Sequence, residues 1–434
     1  MLKILSTEQI RALDAVTIQR ENISSIDLME RACQAFVRWY TVRFDIEKKI
    51  GIICGTGNNG GDGLGIARIL TDWGYVVKVW VIKGPGKASG DFEINLDRVN
   101  GRIDIREFTG STSAFPDCEV LIDAIFGSGL SRPAEGIQER AIQVINSQPA
   151  TRIAIDIPSG LFADKHSTGT IVNAHHTVAF QIPKLAFLFP ENYSYVGEWH
   201  LADIGLDKPS IKESTSTSFY LTKKSVKKIL KSKSTFDHKG DNGKALLIAG
   251  SYGKMGACVL SARACIRAGV GLLTAHIPKL GYTVLQSTVP EAMVSVDNND
   301  EFFSIAPGAD PFDVIGIGPG IGQGPLTVKA FEEILASGKP MIIDADGLNI
   351  LGNHTALFHS IPAGSILTPH PKEFERLVGA WKDDFDRLEK QRRFSRETKA
   401  VIILKGGPHV HSNTRRKGVF QLYRKSRNGE GRSR

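Results

Sequence analysis

Short β-branched apolar runs alternate with helical patterns along the whole chain, and that alternation leaves few folds open. Lys49-Ile-Gly-Ile-Ile-Cys54, Val76-Val-Lys-Val-Trp-Val81, Val120-Leu-Ile-Asp123 and Ile153-Ala-Ile-Asp156 read as strands buried on both faces. Such runs, separated by helix-length segments, predict parallel strands joined by crossover helices. From Asp207 to Gly240 the rhythm is lost in a Lys/Ser/Thr-rich stretch. It then restarts with Ala245-Leu-Leu-Ile-Ala249, Val314-Ile-Gly-Ile317, Pro340-Met-Ile-Ile343 and Val401-Ile-Ile-Leu404. With 434 residues, 41% hydrophobic and 23% charged, the chain has the length and balance of two globular domains. The boundary is expected near residue 225, and each strand ends in Gly, Asp or Ser, where open parallel sheets bind ligands. One nucleotide-type site per domain is the expectation.

The net charge of +8 raises nucleic acid as a partner, but residues 408–434 carry eight Lys/Arg against one Glu and hold nearly all of that excess. No nucleic-acid partner is therefore expected. Cys33, Cys54, Cys118, Cys258 and Cys265 are scattered without a Cys-x-x-Cys pair, which predicts reduced thiols rather than a disulfide framework or zinc site. The opening residues lack a secretion signal and no apolar run reaches membrane-spanning length, so a cytoplasmic protein without membrane contact is expected.

Gly55-Thr-Gly-Asn-Asn-Gly-Gly-Asp-Gly63 follows a strand and precedes the helical pattern Leu64–Trp73. Its amides and the helix start can receive phosphate, and Gly55-x-Gly57-x-x-Gly60 reads as a dinucleotide fingerprint. A dehydrogenase, however, needs an acid at the end of the next strand for the ribose, and Val81-Ile-Lys-Gly84 offers none. Glycines alone equally describe a tight turn; Asn58, Asn59 and Asp62 add directed hydrogen bonds and oxygen ligands. Asp123-Ala-Ile-Phe-Gly127-Ser-Gly-Leu-Ser-Arg-Pro133 and Asp156-Ile-Pro-Ser-Gly160 end two further strands. Hard oxygens without Cys or His suit an alkali or alkaline-earth cation, although a lone Asp more often caps a helix.

These three motifs, in this order, resemble the NAD(P)H-hydrate epimerase domain, and Pro183-Lys-Leu with Tyr195-Val-Gly-Glu-Trp-His-Leu-Ala-Asp-Ile-Gly205 resembles its closing segment. The similarity spans residues 1–207, an expected Rossmann-like α/β/α sandwich. It implies NADHX and NADPHX as substrates, bound by Asn58, Asn59, Gly60, Gly61, Asp62, Gly127, Ser128, Gly129, Leu130, Ser131, Arg132, Pro133 and Asp156. It implies a potassium ion held by Asn59, Asp123 and Ser159. Epimerisation at C6 of the reduced nicotinamide needs proton movement around a transient cation, so Asp156 is the candidate acid/base. Lys184, expected to be a solvated turn residue, is left outside the site.

After a linker at 208–235, residues 236–406 resemble the ribokinase-like ADP- or ATP-dependent NAD(P)H-hydrate dehydratase. The matching runs are His238-Lys-Gly, Ile248-Ala-Gly-Ser-Tyr-Gly-Lys-Met-Gly-Ala257, Pro290-Glu-Ala-Met293, Gly318-Pro-Gly-Ile-Gly322, Asp344-Ala-Asp-Gly-Leu-Asn349 and Leu367-Thr-Pro-His-Pro-Lys-Glu-Phe374. Glycine turns at strand ends suit a phosphoryl pocket built of backbone amides. The resemblance implies that Ala257, Gly322 and His370 touch the hydrate, that Lys405 and Gly406 begin the nucleotide loop, and that ADP or ATP acts with magnesium. A homo-oligomer is expected. Past Gly406 the resemblance stops, and no G-x-G-D occurs. One coding of Tyr423–Arg432, read one base later, gives T-G-N-P-G-M-A-K-G-G. Residues 407–434 are therefore expected to be an out-of-frame basic tail on an incomplete α/β domain with weak dehydratase activity; DNA reads lacking a downstream G-x-G-D in that frame would refute the shift. The competing classes are a noncatalytic nucleotide-binding scaffold and a ribokinase-type small-molecule kinase.

Overall fold

The computed structural model describes residues 1–84, 86–230 and 238–406, together with the backbone of 409–412 and 418–421. Two compact units divide it, residues 2–218 and residues 219–434 with Met1. In the first, among the described residues, seven strands lie in one sheet: β1 (Ile50–Cys54), β2 (Val77–Val81), β3 (Asp104–Glu107), β4 (Val120–Ala124), β5 (Thr151–Ile155), β6 (His176–Phe180) and β7 (Glu198–Ala202). Their order is β3-β2-β1-β4-β5-β6-β7 and every pairing is parallel. The order reverses between β1 and β4, and that crevice is where an open α/β sheet accepts a ligand at its carboxyl edge.

Helices cover both faces because the central strands are apolar on both: β1 and β4 are buried along their whole length. Helix α1 (Thr7–Glu21) begins with a Ser6/Gln9 capping box and α2 (Ser25–Thr41) with a Ser24/Asp27 box. Helix α2 buries Phe36, Val37 and Tyr40, and with α3 (Asn58–Asp72) and α4 (Gly90–Val99) it closes one core. Helix α5 (Gly136–Ser147) closes the other over Ile53, Leu121 and Ala154.

The second unit repeats the plan. Strands β8 (Lys244–Ile248), β9 (Leu272–Ile277), β10 (Met293–Val296), β11 (Val314–Ile317), β12 (Met341–Ile343), β13 (Ile366–Leu367) and β14 (Val401–Leu404) are parallel in the order β14-β13-β12-β11-β8-β9-β10. The reversal lies between β8 and β11. The backbone of His409–Ser412 and Gly418–Gln421 adds two antiparallel strands beyond β14; the other residues of the expected tail lie outside the described residues.

Two features differ from the sequence reading. The stretch expected to be a linker holds helices at Lys208–Glu213 and Lys223–Ile229 and a strand at Ser218–Tyr220, the first helix capped by Asp207, whose carboxylate accepts from Ser210 N at 2.8 Å. Strand β3 was not expected, because Asp-Ile-Arg-Glu has no apolar run; as the sheet's edge it needs to bury little. The five cysteines are free thiols. Among the described residues no helix is long and apolar enough to cross a membrane.

Candidate functional site

The glycines of the first turn are there because the backbone is packed too tightly for a Cβ. One added at Gly60 would sit 1.8 Å from the Gly55 carbonyl oxygen, and one at Gly55 would sit 2.3 Å from that of Ile125. At Gly63 it would meet Ala124 Cβ at 2.6 Å and Cys54 Sγ at 2.7 Å, so α3 lies directly on the sheet. The N-cap of α3 is Gly57, which offers no side-chain oxygen to the first-turn amides. Those donors therefore face the crevice, as a phosphate-binding helix start requires.

Asp123 and Ser159, from adjacent strand ends, form one buried unit. The Ser159 hydroxyl donates to Asp123 Oδ1 at 2.6 Å and its amide to Oδ2 at 2.8 Å, while Phe126 N donates to Ser159 Oγ at 2.9 Å. Burial pushes the Asp123 carboxyl up to about 6, against the lowering pull of the Ser159 and Ile125 hydrogen bonds. Asn59 is buried beside Gly127, whose Cβ position is 3.7 Å from Asn59 Oδ1, and its Nδ2 has no hydrogen-bond partner among the described residues. Asp123 and Ser159 thus form one buried pair, and Asn59 is buried beside Gly127, the residue after Phe126, whose amide donates to Ser159 Oγ.

Asp156 ends β5 in the left-handed region at φ 63°, a conformation disfavoured outside glycine and asparagine-like residues. That turn aims its side chain so that Oδ1 accepts from Phe180 N at 3.1 Å and from Lys184 Nζ. Lys184 is 1% exposed, which corrects its expected place in solvent: the Pro183-Lys-Leu turn folds inward, and the ion pair to Asp156 compensates its burial. Two more carboxyls feel the same charge. Burial, then Asp156, pushes Asp14 up to about 6, with Lys184 opposing. Burial, then Asp156, Asp14 and Asp91, pushes Asp62 well above the carboxylate range. Asp14 sits mid-helix in α1 with no local motif to mark it, so sequence reasoning missed it.

The Gly127–Pro133 segment borders this cluster and is held from outside. Thr7 Oγ1 donates to the Ser128 carbonyl at 3.3 Å, Lys165 Nζ donates to that of Ser131 at 2.6 Å, and an Arg11 guanidinium nitrogen lies 2.3 Å from where Gly129 would carry a Cβ. Gly129, Ser131 and Arg132 are exposed; Ser128, Leu130 and Pro133 are half-buried. Asn58 is exposed at the start of α3, while Gly60 and Gly61 are buried within it.

In the second unit, helices α6 (Met255–Ala268), α7 (Pro325–Leu335), α8 (Asp346–Asn353), α9 (Pro371–Val378) and α10 (Asp384–Thr398) follow the strands. At the reversal, Gly250 N donates to the Pro319 carbonyl at 2.8 Å and Ser251 Oγ to that of Gly320 at 2.7 Å. Gly320 lies against Ala257, its Cβ position 3.3 Å from Ala257 Cβ. Gly322, at φ 82°, donates its amide to Asp346 Oδ2 at 3.0 Å, with Lys254 Nζ 3.6 Å from the same oxygen. Lys405 Nζ donates to Asp344 Oδ1 at 2.7 Å, and between the two acids Ala345 is held at φ 48°. His370 caps α9, its Nδ1 accepting from Glu373 N at 3.1 Å; Lys405 N donates to the Pro369 carbonyl at 2.8 Å, and Gly406 lies beside Pro371. Gly322 and Ala257 thus share one strand-end cluster with Lys254, and Lys405 and Gly406 adjoin His370.

Both halves of the chain are similar to known proteins. A family described as YjeF-related protein N-terminus matches residues 25–186, and one described as NAD(P)H-hydrate dehydratase matches residues 245–418. A bifunctional NAD(P)H-hydrate repair enzyme from Moorella thermoacetica is 33% identical over 429 residues, covering 94% of this chain and 81% of its own. Its counterpart from Escherichia coli is 31% identical over 389 residues, covering 88% and 73%. The structure of an ADP/ATP-dependent NAD(P)H-hydrate dehydratase from Bacillus subtilis with ATP/Mg2+ aligns at 26% identity and TM-score 0.40, over 47% of this chain and 72% of its own. Two domain families in this order, and relatives above 30% identity along most of both chains, place the chain in the bifunctional NAD(P)H-hydrate repair enzyme family.

Proposed function

We propose that this chain repairs hydrated NADH and NADPH in the cytoplasm: the first unit interconverts the R and S epimers in a potassium-dependent pocket, and the second dehydrates the S form at the expense of ADP or ATP with magnesium, weakly for want of a G-x-G-D segment. The observation that carries the first activity is Asp156, held in a left-handed backbone with a buried lysine on one carboxylate oxygen, beside a glycine-walled helix start.

The dinucleotide phosphates lie against the first-turn amides of α3, with Asn58 and the Gly127–Pro133 segment along the ligand. Asn59, Asp123 and Ser159 would hold potassium, which would supply fixed positive charge beside the bound dinucleotide. Asp156 Oδ2, which takes no hydrogen bond among the described residues, faces the nicotinamide: protonation of the C6 hydroxyl lets the C6–O bond break with loss of water to a ring iminium cation, and Asp156 takes the proton back as water adds to the opposite face. Lys184 holds the Asp156 carboxylate in orientation from the Oδ1 side. Asp62, whose carboxyl is pushed up by burial and then by Asp156, Asp14 and Asp91, is the second acid beside the ring. In the second unit, adenine-nucleotide phosphates meet glycine amides near Lys405–Gly406, and the hydrate meets Ala257, Gly322 and His370.

The test is interconversion of purified R- and S-NADHX followed by chromatography in potassium and in sodium buffer. Potassium-dependent epimerisation that falls at least ~100-fold in Asp156→Asn is expected. No epimerisation in either salt, with NADH-analogue binding retained, would leave a noncatalytic nucleotide-binding scaffold. The wild-type chain is expected to elute as a homo-oligomer in size-exclusion chromatography.

A further inference from the structure

At the amino end of the first sheet, far from the cleft, three potential ligands converge. His176 opens β6, and Glu198 and His200 lie on β7; the register pairs His176 with Glu198 and Val178 with His200, so all three project from one face. One ligand atom from each lies within 4.8 Å of the others. His176 Nδ1 is 4.0 Å from Glu198 Oε2, and the two imidazole centroids are 5.7 Å apart. His176 Nδ1 and His200 Nε2 are buried and make no hydrogen bond among the described residues. Trp39, whose ring lies 5.0 Å from His200 and 5.7 Å from His176, has a buried indole N–H in the same condition.

Buried ring nitrogens without partners are rare, because each loses its water and gains nothing in return; several in one place point to a ligand. Arg43, the cation beside this face, donates to the Trp39 carbonyl at 3.1 Å. We propose that His176, Glu198 and His200 bind a borderline divalent transition metal, zinc by preference, with water completing the coordination. Two imidazoles and a carboxylate are a zinc-type donor set rather than one for potassium or magnesium. Tetrahedral zinc at about 2.0–2.1 Å from each donor needs donors roughly 3.3 Å apart. Closing from 4.8 Å is within reach of side-chain rotation.

The ion would not touch substrate. Phe180, which holds Asp156, ends the same strand that His176 begins, roughly 13 Å away along the pleat. It would instead fasten β7, the edge strand, to β6.

The experiment uses the full-length, tag-free chain, stripped with chelator and titrated with cobalt(II), whose visible absorption reports imidazole coordination, and then with competing zinc(II). One equivalent is expected to bind with a visible band that zinc abolishes. Affinity should drop ~10–100-fold or more in His200→Asn and also in Glu198→Gln, an exposed change that leaves folding intact. Potassium-dependent epimerisation of both variants should stay near wild type in metal-free buffer. No visible band with excess cobalt, or the same affinity in wild type and Glu198→Gln, overturns the proposal; so does a band lost in neither variant.

Discussion

At the residue scale the Asp156–Lys184 pair decides most. Removing either partner strands the other in a nearly dry site, so Asp156→Asn and Lys184→Met are each expected to lower stability by about 3–5 kcal/mol, read from the urea midpoint. The double variant should recover much of that loss while epimerisation stays absent, which separates the structural from the chemical part of the pair. Asp14 gives a pH test. Its folded value of about 6 stands above the ordinary 3.8, so ionising it opposes folding; its favourable share is complete below about 4 and is lost as pH rises through 6. Asp14→Asn should therefore be more stable than wild type at pH 8 by about 1–3 kcal/mol, with the gain vanishing near pH 4 in urea titrations at the two values. Ala345 is a strained position of the second unit. Ala345→Gly should raise the melting temperature of the second unit while loosening Asp344 and Asp346.

At the element scale the close seating of α3 on β1 and β4 is the feature to break. Gly63→Ala places a methyl 2.6 Å from Ala124 Cβ and should cost about 1–3 kcal/mol, whereas Gly57→Ala meets nothing within 4 Å and should cost under about 1 kcal/mol, the N-cap preference for Gly over Ala, by thermal melting. Much at this scale was legible in the sequence. The runs ending at Cys54, Val81, Asp123 and Asp156 fall on β1, β2, β4 and β5 within two residues at each end, because buried parallel strands carry their signal in composition alone. Strand β7 was not legible, since Glu-Trp-His-Leu-Ala mixes polar and apolar residues, nor was the exposed β3. The strand-end motifs revealed Asn59, Asp123, Asp156 and Ser159 as candidates. They could not reveal Asp14 or Lys184, whose approach to Asp156 joins segments more than a hundred residues apart in one case and 28 in the other, a relation only the folded sheet creates.

For the whole molecule, each unit has its own reversal of strand order and its own apolar core. Chemistry in one should survive damage in the other: Asp156→Asn is expected to leave adenine-nucleotide-dependent dehydration of pre-resolved S-NADHX at whatever rate the parent chain shows, measured by recovery of absorbance at the reduced-nicotinamide band. Neither apolar core draws residues from the other unit, so a cavity opened in one core removes no side chain from the packing of the other.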